Sequence, residues 1–92
     1  MPPLFKVIGI AKLTKHSVHI AVQFIPSRAT ARCDVRTTDI GKGHIFKPYR
    51  SYCEHDRRLI NLLSSAPGTL QTPEEWSAWI EKTWPGSLPT GA

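Results

Sequence analysis

Residues 16–25 read His-Ser-Val-His-Ile-Ala-Val-Gln-Phe-Ile, and their alternation decides the architecture. Val18, Ile20, Val22 and Phe24 fall on one parity, while Ser17, His19, Ala21 and Gln23 fall on the other. That two-residue period describes a strand with one strongly apolar face. Such a face must be buried, so the rest of the chain has to supply paired strands beside it and a cover above it.

Working outward, residues 4–13 carry Leu4, Phe5, Val7, Ile8 and Ile10 and read as a preceding strand, with a bend expected at Gly9. The polar link at residues 12–15 is too short for a crossover, so the two strands form an antiparallel hairpin. Pro26 ends the second strand because proline cannot donate to a ladder. Ala31, Cys33 and Val35 then alternate with Arg32, Asp34 and Arg36, which gives a third strand with an apolar face and a charged face. Cys33 reads as a small buried hydrophobe. Residues 40–44 read as a turn, and residues 45–49 as a short edge strand, since Pro48 is unsuited to a central position.

Two helices follow. Ser51 and Glu54 have capping-box spacing ahead of a helix over 52–65, with Leu59, Ile60, Leu62, Leu63 and Ala66 as its apolar stripe. Pro67-Gly68 ends it. Thr72-Pro73-Glu74-Glu75 is the sharpest local signal. Threonine caps, proline suits the first helical position and both acids favour the positive helix end. Trp76, Trp79, Ile80, Thr83 and Trp84 recur at helical spacing up to Pro85-Gly86. The expected fold is α+β, a three- or four-stranded antiparallel sheet packed against two C-terminal helices. It forms one compact domain over residues 1–92, with 1–3 and 87–92 as loose termini.

At 92 residues the chain can build one core of moderate size. Charged residues are 21% and apolar ones 40%, which excludes the disordered regime. No apolar run approaches the length of a membrane span, and the first residues lack a signal-peptide pattern. Two cysteines fall short of the dense framework of a small secreted domain. The expectation is a soluble cytoplasmic protein with reduced thiols, in the host cytoplasm if phage-encoded.

Charge separates the two halves. Through residue 50 there are nine Lys/Arg against two Asp, a formal +7. From residue 51 onward there are three against five, or −2. A sheet half this basic points to a phosphate backbone or an acidic protein surface as its partner. Arg32, Arg36, Lys42, Lys47 and Arg50 are the central candidates, and Arg57 and Arg58 extend them from the first helical turn. Tyr49, interleaved with Lys47 and Arg50, could add base stacking, as Phe46 and Tyr52 could. Trp76 and Trp79 read as packing anchors, with Trp84 the indole expected to stay partly exposed for protein contact.

Chemistry-bearing residues are sparse. Cys33, His44, Cys53 and His55 do not have zinc-ligand spacing, so no metal is expected. Cys53 and His55 are two apart at a helix start and do not face one another. Asp34, Asp39, Glu54 and Asp56 have no spacing that compels a magnesium site. His16 and His19 fall on opposite strand faces. The expectation is therefore a binding protein without catalytic turnover or cofactor.

The strand at 18–24, the charged strand at 31–35 and the terminal helix at 72–84, in a very small α+β domain without catalytic equipment, resemble the layout of phage-encoded anti-CRISPR proteins. Those inhibitors share no universal motif, so the resemblance transfers no residue role. It implies a partner: a bacterial CRISPR surveillance complex, or another nucleoprotein, whose access to target DNA is blocked. The alternatives are a DNA- or RNA-binding accessory protein, with direct nucleic-acid contact, and a structural protein-protein interaction module.

Overall fold

Four antiparallel strands are hydrogen-bonded in the order β1-β2-β3-β4, with the alternating stretch as the central strand β2. The computed structural model describes residues 3–37 and 43–89. Its strands are β1 (Phe5–Thr14), β2 (Ser17–Phe24), β3 (Thr30–Arg36) and β4 (Ile45–Pro48). They are followed by α1 (Glu54–Leu63) and α2 (Pro73–Thr83). No helix among the described residues is long and apolar enough to cross a membrane.

Register explains how one face becomes the core. Val22 pairs with Val7 and Ala31, Ile20 with Ile10 and Cys33, and Val18 with Val35, so apolar side chains from adjacent strands stack in rows. The bend expected at Gly9 is a bulge between Val7 and Gly9, and the pairing resumes at Gly9↔Ala21. Both helices cover this face, α1 over β3 and β4 and α2 over β1. Phe5, Ile20, Val22, Phe24, Leu59, Leu63, Trp76 and Ile80 are at most 1% exposed. Each such side chain contributes about 1.5–3 kcal/mol through burial. Cys33 is fully buried among them, and burial pushes its thiol up to about 12. It is expected to resist alkylation in the native state and react only on unfolding, which a thiol titration with and without denaturant checks.

The capping box of α2 forms as its sequence predicts. The Thr72 hydroxyl accepts from the Glu75 N–H at 3.1 Å, and the Glu75 carboxylate accepts from the Thr72 N–H at 3.0 Å. The backbone N–H groups of Thr72 and Gln71 hold the Glu75 carboxyl below its usual range. Below the helix, rings run across the sheet. Phe5 meets Trp84 at 5.2 Å, Trp84 meets Trp79 at 5.4 Å, Trp79 meets Trp76 at 5.8 Å, and Trp76 meets Phe46 of β4 at 6.4 Å.

Two local expectations are corrected. First, α1 begins at Glu54, its N-cap is Cys53 and no side chain caps it, so Ser51 and Glu54 form no capping box. The cause is Asp56 in the first turn, which points inward and is fully buried. Its carboxylate accepts from the backbone N–H of Arg32 at 2.9 Å and of Arg50 at 2.8 Å, and this holds residues 50–53 in a turn ahead of the helix. Second, the chain after α2 is docked through Ser87, which is buried. The Ser87 carbonyl accepts from the Val7 N–H at 2.7 Å, and the Glu81 carboxylate accepts from the N–H groups of Gly86 at 2.7 Å and Leu88 at 3.3 Å. Gly86 has φ +87, a left-handed conformation that turns the chain back toward β1 and suits glycine. Trp84 is partly exposed, as its place at the end of α2 suggests, with its ring packed against Phe5 and Trp79.

Candidate functional site

Strand parity sends one set of side chains away from both helices. On β2 and β3 these are Ser17, His19, Ala21 and Gln23, and Thr30, Arg32, Asp34 and Arg36. On β4 they are Ile45 and Lys47, which pair with Arg36 and Asp34. Tyr49 continues the parity, its N–H donating to the Arg32 carbonyl at 3.1 Å. From β1 the bulged segment adds Ile8, and Leu13 lies on the same side at the hairpin end, near Ser17, Arg36 and Ile45.

This open face has an ordered polar centre. His19 Nδ1 lies 2.7 Å from Asp34 Oδ1, and because a carboxylate only accepts, the ring donates from Nδ1. Its Nε2 then faces Arg32 Nη1 across a long 3.5 Å contact. The Arg32 guanidinium carbon lies 5.9 Å from the Tyr49 ring centroid, and the His19 ring meets Tyr49 edge-on at 5.5 Å. Asp34, the one acid on this face among the described residues, is thereby directed at His19. Arg32, Arg36 and Lys47 are exposed, and none forms an ion pair with a described carboxylate.

Apolar residues flank that centre in the open. Ile8 and Leu13 are each 51% exposed, Ile45 is 58% and Tyr49 63%. Two shallow depressions of about 340 and 330 Å³ lie along the face. One is bordered by Ile8, His19 and Arg32, the other by Leu13, Arg36 and Lys47. The apolar contribution from both outer strands has no simple sequence signal, because the bulge at Gly9 resets the parity of β1.

The other candidates are distributed elsewhere. Arg50 is held by Asp56, with Nη2 at 3.0 Å and Nε at 3.3 Å, and by the Thr30 carbonyl at 2.9 Å. This arrangement raises the Arg50 pKa further above its already high ordinary value, chiefly through the side-chain hydrogen bond to Asp56. Its guanidinium thus joins β3 to α1 and is not available to a ligand in the way Arg36 is. Arg57 and Arg58 stand on α1, in the helical layer. Arg57 reaches the Ser51 carbonyl at 3.5 Å, and Arg58 lies over the Phe24 ring at 4.2 Å. Lys42 lies outside the described residues. Lys12 and Lys15 border a separate cleft with Gln71, Thr72 and Glu74 at the start of α2. Tyr52 is 93% exposed in the turn before α1.

Among the described residues no three His, Cys, Asp or Glu side chains gather as a metal site requires. His44, one of the sequence candidates for a ligand, is instead a bridge between loops. Its Nδ1 lies 2.9 Å from Thr37 Oγ1 and its Nε2 lies 2.9 Å from the Pro67 carbonyl, with the ring 4.9 Å from Trp76. No protein-family model, characterised protein or solved structure matches this chain.

Proposed function

We propose that the chain is a non-catalytic binding protein whose open sheet face engages a nucleic-acid strand, bare or displayed by a nucleoprotein assembly. The observation that supports this reading is that Arg32, Arg36 and Lys47 share one helix-free face whose single described acid is paired with His19. A phosphate backbone rewards that arrangement by counterion release, which makes affinity steeply salt-dependent and largely sequence-neutral.

Three cations set the size of the effect. For a single strand the expected slope of log affinity against log salt is about −2, which is a loss of about 15- to 20-fold between about 50 and 200 mM salt. Arg36→Ala should reduce the steepness by about 0.7. Fluorescence anisotropy with a labelled oligonucleotide measures both. Binding that ignores salt, or no binding at the lower salt concentration, would count against the proposal.

The resemblance of the sequence layout to small phage-encoded inhibitors gives the same proposal a more specific form. The face would then bind a CRISPR surveillance complex where that complex handles guide RNA or target DNA. That form predicts tight binding to the assembled complex, competed by target DNA, with weak affinity for bare duplex. The accessory-protein form predicts affinity for bare nucleic acid. A competition experiment with purified complex separates them.

A further inference from the structure

We infer that the bound strand is single-stranded and that Tyr49 is the stacking post for one of its bases. The inference rests on the polyanion reading of the face and goes further by specifying the state of the ligand.

Tyr49 is the one tyrosine on the open face and is 63% exposed there. Its surroundings are already arranged. Asp34 orients the His19 ring through Nδ1, the His19 ring meets Tyr49 edge-on, and Arg32 stands beside both. A phenol ring packed against the adjoining His19 and Arg32 side chains loses less freedom when a base stacks on it than a free side chain would. Stacking on aromatic rings reinforced by arginine is the sequence-tolerant way in which proteins hold unpaired strands.

Spacing along β4 agrees. Ile45, Lys47 and Tyr49 project on one side at steps of roughly 6.5–7 Å, the rise of two strand residues. Across the ladder Arg36 pairs with Ile45, and the Arg32 carbonyl receives the Tyr49 N–H. Each apolar or aromatic post therefore has a cation beside it, with Lys47 between the two posts. An unstacked strand offers the same alternation of base face and phosphate. A duplex does not, because its base faces are closed inside the stack, and Ile45 and Tyr49 would be left against phosphates and water. An acidic peptide would satisfy the cations but presents no base face to Tyr49.

The test measures anisotropy of the full chain with four probes: a short oligothymidylate, an abasic strand with the same number of phosphates, a duplex of equal length, and polyglutamate. The oligothymidylate is expected to bind at least fivefold more tightly than the abasic strand, the lower end of what one stacked base contributes. It should also bind more tightly than the duplex and polyglutamate. Tyr49→Ala should remove the preference over the abasic strand, and Tyr49→Phe should keep it. Circular dichroism of each variant confirms the fold, which this exposed position does not support.

Equal, salt-dependent binding of oligothymidylate and abasic strand would overturn the inference and leave the polyanion reading standing. So would a preference that survives Tyr49→Ala, or duplex bound as tightly as the single strand. Failure of every nucleic-acid probe at low salt would overturn both, and polyglutamate binding more tightly than the oligonucleotides would reassign the face to an acidic protein.

Discussion

Arg36→Glu combined with Lys47→Glu should abolish nucleic-acid binding, a loss of about 500-fold at about 50 mM salt if three phosphate contacts supply the affinity. The two reversals turn a face carrying Arg32, Arg36 and Lys47 against Asp34 into one with three acids and a single arginine. Both side chains are exposed and neither supports the core, so the fold should tolerate the change. The new carboxylate at position 47 lies opposite Asp34, and that like-charge pair costs up to about 1 kcal/mol. Anisotropy and thermal unfolding on the same preparation separate the two effects. Retained affinity in a folded double variant would show that the strand lies elsewhere.

Asp56→Ala carries the largest expected stability effect, about 2–5 kcal/mol, because it strands two backbone donors and removes an ionic partner at once. The carboxylate has no exposure and accepts from the backbone N–H groups of Arg32 and Arg50 and from the Arg50 guanidinium. A domain of this size has roughly 5–14 kcal/mol of total stability, so denaturant unfolding should show a greatly lowered midpoint. Burial alone would raise the Asp56 pKa, but the Arg50 side chain and the two N–H groups outweigh it and hold the carboxyl below its ordinary 3.8. A carboxyl depressed on folding stabilises the protein above its unfolded pKa, and that contribution is lost as pH falls through the lower folded value. The wild type should therefore lose stability below about pH 4 through this group. Asp56→Asn should remove that part of the pH dependence, which urea titrations at several acidic pH values would read.

The elements written by short-range pattern were legible in the chain. Val18, Ile20, Val22 and Phe24 announce β2 by alternation alone, and Thr72 and Glu75 announce α2 because a capping box is closed within four residues. Arg32 and Arg36 followed from the same logic, since parity on β3 opposite Cys33 leaves them no other side. What escaped depends on partners far along the chain. The start of α1 is set by Asp56 reaching the Arg32 backbone, 24 residues upstream, and no local window contains that bond. Arg50 read as a free cation for the same reason. Ser87 and Leu88 looked like an untethered tail because the Glu81 and Val7 groups that hold them declare nothing in sequence. Arg57 and Arg58, read as extending the patch from the first helical turn, are separated from it because α1 packs on the opposite layer.

The docking of Ser87 onto Val7 has a further consequence for a molecule that displays Ile8, Leu13 and Ile45 to solvent. A small sheet with such side chains would ordinarily invite copies of itself to extend the ladder into fibrils. On one flank the returning chain already occupies the backbone donor at Val7. On the other, the Tyr49 N–H points inward to Arg32, so by alternation the nitrogen of Pro48 lies on the outer side and has no proton to offer. One backbone position on each flank is thus closed to a further strand, which discourages edge-to-edge pairing there despite the aliphatic side chains in water.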